Sequence, residues 1–175
     1  INYPKRIAKL VLVDSGGFSR ETPLLYRLCT LPVVGDVIIR PTTKPLLRRG
    51  LKGLFYDPNL VTEEMVELDY RYLKMRGAKE TMLNIIRSNS DLTGPHPEVV
   101  LLDKLHLVRL PTLLIHGAQD KLVPLERAQA ASKLIPGARL KVFARCGHCP
   151  QIEKAAAFNR TVSAFLKSNK TYRKD

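Results

Sequence analysis

Three short stretches of near-continuous aliphatic residues stand out along the chain. Residues 7–14 read I-A-K-L-V-L-V-D, residues 111–116 read P-T-L-L-I-H, and residues 139–144 read R-L-K-V-F-A. Runs of this length, apolar at successive rather than alternate positions, predict strands buried on both faces, as in a parallel sheet. Pro111 and Pro136 punctuate before the second and third runs, and Gly17 and Gly117 after the first and second. An Ala-rich stretch at 125–134 predicts a helix, stopped by Ile135-Pro136-Gly137. Residues 153–166 predict another, with Ile152, Ala156, Phe158, Val162, Phe165 and Leu166 marking its apolar face. Residues 111–168 therefore read strand–helix–strand–helix, the pattern of parallel strands joined by right-handed crossovers. The expected fold class is α/β.

Residues 20–106 carry no strand pattern. They predict helices at 46–55, 62–75 and 79–88; Thr62 suits an N-cap, and Glu63 and Glu64 suit the positive helix end. A helical stretch of this size between two parallel strands reads as a lid. The expected organisation is a core of residues 1–19 and 107–175 with a helical cap at 20–106, and a polar, frayed tail from Lys167. The first strand, apolar on both faces, calls for a neighbour on each side. Together with a first residue that is Ile rather than Met, this leads to the expectation that the sheet continues in sequence preceding Ile1.

Composition narrows the classes. The chain has 175 residues, 45% hydrophobic and 26% charged, which excludes a wholly disordered chain. Three Cys exclude a disulfide-stapled scaffold, and no apolar run approaches the roughly 18 residues of a membrane span. The net charge of +13 raises nucleic acid or an anionic membrane as partners. The cations cluster at Arg40, Lys44, Arg48, Arg49 and Lys52, and at Lys167, Lys170, Arg173 and Lys174. Neither cluster has aromatic interleaving or a nucleic-acid motif, so a solvated face is the plain reading and no nucleic-acid partner is expected. Weak contact of a basic lid with an anionic membrane is the lesser alternative. The compartment is unread, with cytoplasm as the default, and so is the oligomeric state.

Two loops carry candidate chemistry. Gly117-Ala118-Gln119-Asp120-Lys121-Leu122-Val123-Pro124 follows a strand and precedes a helix, at the carboxyl end of a parallel sheet where open α/β folds place their sites. Taken alone, Asp120 could equally be a turn cap. Cys146-Gly147-His148-Cys149 follows the last strand, one strand–helix–strand step later. Parallel strands bring His148 to the same sheet end as Asp120. An Asp fixes an imidazole's tautomer, and the His then serves as general base. His96, His106 and His116 read as structural.

The order strand–G-x-x-D-x-x-V-P–helix–strand–G-H–helix resembles the C-terminal part of an α/β-hydrolase. Residues 142–162, V-F-A-R-C-G-H-C-P-Q-I-E-K-A-A-A-F-N-R-T-V, are similar to the ending of the carbon–carbon bond hydrolases that act on meta-cleavage products, and residues 54–64 are similar to part of their lid. The resemblance implies Asp120 as triad acid and His148 as triad base, a pocket shaped by the lid, and no cofactor or metal. Val123 and Cys149, flanking the pair, are the expected substrate-binding residues, for a small apolar acyl or ester substrate. Family order is nucleophile, acid, base, with the nucleophile on a G-x-S-x-G elbow. That motif is absent here; Ser15, Ser19, Ser88 and Ser90 are misplaced for it, so no nucleophile is assigned and the chain alone is expected to be inactive. Two departures bear on substrate. Cys149 stands where these hydrolases carry an aromatic residue after the His. Asp69 falls, by ungapped reading, where they carry a carboxylate-binding Arg; Arg71 and Arg76 are near but out of register. Both favour an uncharged ester over a dienoate.

Two competing classes remain at this point. A fold relative without a nucleophile can act as a binding protein. Cys146-Gly-His-Cys149 also spells a thiol–disulfide motif, although no further strand follows it as a thioredoxin-like domain requires. Zinc is disfavoured because Cys29 is far from the other two thiols in sequence, leaving no two ligand pairs.

Overall fold

A computed structural model of the chain describes residues 1–39 and 43–168. Arg40 and the tail positions Lys170, Arg173 and Lys174 singled out above lie outside these residues. Contacts divide the chain into two units, one comprising residues 1–18, 53–60 and 101–175, the other residues 19–52 and 61–100.

The first unit is built on a three-stranded parallel sheet in the order β1 (Leu10–Val13), β2 (Thr112–Gly117), β3 (Arg139–Phe143). Leu12 pairs with Leu114 and Leu114 with Leu140, so the three strands are in register through their centres. β2 is the middle strand and is buried at every position, as its unbroken aliphatic run requires. Alternate side chains feed two cores. On one face Leu114 packs with Phe18, Leu105, Val108, Ala131 and Ile135. On the other, Leu113 and Ile115 pack with Phe143, Cys146 and Phe165. Ala131 comes from α6 (Leu125–Leu134) and Phe165 from α8 (Ala155–Lys167), so a crossover helix covers each face. A short helix, α7 (Pro150–Glu153), precedes α8. β1 is half-buried throughout and pairs with β2 alone among the described residues.

α6 keeps its expected limits because Ile135 leaves helical backbone and Gly137 turns the chain at φ 69°. Residues 53–60, expected from sequence within the helical stretch, group with the sheet.

The second unit is helical: α1 (Leu24–Cys29), α2 (Val34–Ile39), most of α3 (Lys44–Leu54), α4 (Glu63–Lys74) and α5 (Ala78–Asn89). Thr62 caps α4 by accepting from the Met65 amide at 3.2 Å. α1 and α2 approach closely at Gly35, where a Cβ would stand 2.3 Å from the Cys29 carbonyl oxygen. Basic residues are partly neutralised by their own neighbours: Lys44 pairs with Glu67 at 2.6 Å, and Arg48 pairs with Glu63. Among the described residues, no helix is long and apolar enough to cross a membrane.

Candidate active site

All of the candidate chemistry gathers at the carboxyl end of the sheet. β2 delivers the chain to Gly117, and the turn that follows presents Asp120. Asp120 is held on both oxygens: Oδ1 accepts from the amides of Leu122 at 2.8 Å and Val123 at 3.0 Å, and Oδ2 lies 2.8 Å from His148 Nδ1. The Asp120 side chain is fully buried, whereas that of His148 is 24% exposed.

The loop bearing His148 is fixed against the Asp120 loop by close backbone contacts. The Gln119 amide donates to the Cys146 carbonyl at 2.9 Å, and the Cys146 amide donates back to Gln119 Oε1 at 3.1 Å. A Cβ on Gly117 would stand 1.9 Å from the Gly147 carbonyl oxygen, so the two loops meet only because this position is glycine. On its other side the His148 loop abuts residues 54–56. The His148 amide donates to the Leu54 carbonyl at 2.7 Å, and a Cβ on Gly147 would stand 2.3 Å from that same oxygen. Glu153, from α7, accepts from the Gly147 amide at 2.6 Å and from the Tyr56 amide at 2.8 Å. One carboxylate thus ties the His148 loop to the strap beside it.

The electrostatics follow from this packing. Burial pushes Asp120 up, but hydrogen bonds from His148, Val123 and Leu122 outweigh it and hold the carboxyl below the usual range. The bond to Asp120 raises the His148 imidazole, against the opposing effect of burial. An ionised carboxylate at Nδ1 fixes the tautomer with the proton on Nδ1. Nε2 is then a lone pair, with no hydrogen bond to any described residue. That is the state of an imidazole ready to take a proton from a hydroxyl. His148 lines a cavity of about 260 Å³ together with Val13, Asp14, Cys149, Gln151 and Phe158. Val123 is not among these residues; it serves the site through its backbone, with N–H to Asp120 and C=O to His116.

The thiols are poor nucleophiles here. All three are free. Burial, with Glu153 adding to it, pushes Cys146 up to about 12 and Cys149 up to about 11. A redox pair needs the opposite, a thiolate stabilised near neutrality. Ser15 and Ser90 bond backbone carbonyls of their own segments.

Asp14, not singled out from the sequence, and His116, read from the sequence as structural, sit behind the dyad. Asp14, directly after β1, accepts from the Gly117 amide at 2.9 Å through Oδ1. His116, on β2, has Nε2 2.8 Å from the Val123 carbonyl and Nδ1 3.4 Å from Asp14 Oδ1. Burial raises the Asp14 carboxyl to about 6, only partly offset by the Gly117 bond and the neighbouring His116. A strand-end Asp beside a strand-end His was the available signal, visible only once the two strands are paired. Asp14, His116 and Asp120 could together face a metal. However, Nε2 of His116 is committed to the Val123 carbonyl, and both Asp120 oxygens are in use. Only Asp14 Oδ2 and His116 Nδ1 of this group are left without a hydrogen bond, two atoms where a metal site takes three or four protein ligands.

The chain is similar to known proteins over nearly its whole length. A family model described as alpha/beta hydrolase fold matches residues 43–155. A 2-hydroxy-6-oxononadienedioate/2-hydroxy-6-oxononatrienedioate hydrolase of Burkholderia vietnamiensis is 31% identical over 173 residues, covering 95% of this chain and 56% of the relative. A 2-hydroxymuconate semialdehyde hydrolase of Pseudomonas putida is 32% identical over 174 residues, again covering 95% and 56%. The solved structure of a meta-cleavage product hydrolase from Pseudomonas fluorescens superposes with a TM-score of 0.67 at 28% identity, covering 94% of this chain and 57% of that one. The chain is thus related to meta-cleavage product hydrolases, and it spans a little over half the length of the curated relatives it matches.

Proposed function

Because this chain belongs to the α/β-hydrolase fold family, we propose that Asp120 and His148 are the acid and base of a serine hydrolase. The nucleophilic Ser would come from sequence outside these 175 residues. The observation that carries the reading is the 2.8 Å contact between a buried, doubly anchored carboxylate and Nδ1 of a partly exposed imidazole. In the reaction, Nε2 of His148 takes the Ser proton as Oγ attacks the substrate carbonyl. The imidazolium, stabilised by Asp120, then returns the proton to the leaving group, and water releases the acyl group by the same steps in reverse roles. The helical unit acts as lid. Cys149, in place of an aromatic residue, lines the cavity beside His148. Val123 contributes by holding Asp120.

The substrate class is a small apolar acyl compound, an ester or an activated carbon–carbon bond. Asp69, by ungapped sequence alignment, replaces a carboxylate-binding Arg, which favours the neutral ester over a dienoate because like charges repel. The test is turnover by the full-length native protein on a panel of neutral aryl esters and a ring-fission dienoate. His148→Ala and Asp120→Asn are expected to lower kcat by roughly four orders of magnitude with the fold retained. Wild-type-like turnover in either variant overturns the assignment. Absence of turnover by the unmodified protein on every ester and dienoate would favour a binding role instead.

A further inference from the structure

The Asp14–His116 pair has no part in the chemistry above, yet it is packed directly behind it. Both side chains are almost wholly buried, at 2% and 1% exposure. Asp14 Oδ2 and His116 Nδ1 make no hydrogen bond. Asp14 also holds left-handed backbone, φ 41°, a conformation uncommon outside glycine that Asp tolerates.

The hydrogen bonds assign the protons. A carbonyl oxygen only accepts, so His116 Nε2, 2.8 Å from Val123 O, carries a hydrogen. If the ring is neutral, Nδ1 then offers a lone pair, and it faces Asp14 Oδ1 at 3.4 Å. An ionised Asp14 would set lone pair against lone pair in a buried place. A single proton, on the carboxyl or on the ring, removes the conflict. The far side of the ring lies 3.5 Å from Asp120 Oδ2, which bonds His148. The four groups thus form one chain: Asp14, His116, Asp120, His148.

We propose that Asp14 and His116 hold one proton between them behind the Asp120–His148 dyad, making Asp14 a positioning residue. It aligns the acid loop through the Gly117 amide and sets the charge that His148 faces. With its proton the pair is neutral. Without it, a negative charge stands next to Asp120 and favours the imidazolium form of His148, so the base works only at higher pH. The ionisable groups facing Asp14 are His116 from β2, Asp120 from the loop after β2, and Cys146, His148 and Cys149 from the loop after β3. Glu153 of α7 acts on the two thiols. Burial places the loss of the Asp14 proton at about 6, while the bond to Asp120 holds the His148 imidazole above its ordinary value, so the pair changes charge before His148 loses its own proton. The proposal rests on Asp120–His148 being the working dyad only for its effect on turnover; the protonation itself is a separate claim.

The experiment is an NMR titration of the full-length native protein, following the Asp14 carboxyl carbon and the ring nitrogens of His116 and His148. The expected result is that the His116 nitrogens respond at the Asp14 midpoint, near 6, and that His148 shows an inflection there. In Asp14→Asn, which keeps Oδ1 as an acceptor for Gly117, the His148 midpoint should fall by on the order of one pH unit and lose that inflection. An Asp14 carboxyl that titrates near 4 while His116 stays unchanged overturns the proposal. So does a His148 midpoint unaltered in Asp14→Asn. If that variant does not fold, the titration of the unmodified protein decides alone. Because no turnover is measured, a failure of the hydrolase reading shows up separately, as undiminished activity in His148→Ala.

Discussion

Gly147 immediately precedes the candidate base, and replacing it with Ala should dislodge His148 without touching its side chain. The new Cβ would stand 2.3 Å from the Leu54 oxygen, 2.8 Å from the Tyr56 nitrogen and 2.9 Å from the Phe55 carbon. All three are backbone atoms, so no rotamer change relieves the overlap, and the strap must retreat by about 1 Å to reach ordinary contact. That movement breaks the 2.7 Å bond from the His148 amide to Leu54 and strains the two bonds that Glu153 makes to Gly147 and Tyr56. The broken neutral bond costs about 1 kcal/mol, and the two strained bonds to the Glu153 carboxylate, each half weakened, together cost about 1.5–3 kcal/mol, for a loss of roughly 2.5–4 kcal/mol. At about 2–4 °C per kcal/mol for a chain of this size or somewhat larger, Tm should fall by roughly 5–16 °C. The assay is thermal unfolding of Gly147→Ala beside the unmodified protein, with turnover measured well below both transitions. A Tm within about 2 °C of the parent and full turnover would refute the reasoning. The strap would then not be what holds His148.

Two further outcomes follow from other parts of the site. The folded state keeps Asp14 protonated up to about 6, above its ordinary 3.8, so its contribution to stability is present at low pH and is lost as pH rises through that interval. At about 1.4 kcal/mol per pH unit, the ionised carboxylate costs roughly 3 kcal/mol at pH 8; Asp14→Asn should therefore raise Tm at pH 8 relative to the parent and leave it nearly unchanged at pH 3.5, a difference that paired thermal scans would read. Cys149→Ser should retain most of the turnover, since burial keeps this thiol protonated up to about 11; loss of activity in a steady-state assay would return the thiol reading to contention.

The parts of the structure legible in the sequence are those whose signal is local. The aliphatic runs gave the three strands because a central parallel strand has no polar face to show, and β2 is indeed buried throughout. The Thr62 cap and the Ile135-Pro136-Gly137 stop placed α4 and α6 closely. The short helices α1 and α2 were missed, since six residues carry too little periodicity to read. The meeting of Asp120 with His148 was legible because each sits in a recognisable loop after a strand. Asp14 and Gln119 were not, because their partners, Gly117 and Cys146, lie far along the chain. The strap at residues 54–56 escaped for the same reason. Its role depends on backbone atoms meeting Gly147, and sequence pattern carries no trace of that contact.

The strap also changes how this protein can be cut and recombined. Residues 53–60 fold with the sheet although the helical unit precedes and follows them in the chain, so the polypeptide passes between the two units four times. A chimaera that exchanges residues 20–106 as one cassette would import a foreign strap and leave Glu153 and the His148 amide without their matched partners. The exchangeable modules are instead two, residues 19–52 and 61–100, spliced around a retained eight-residue bridge. Exchanges drawn on those borders would keep the histidine loop of the recipient intact.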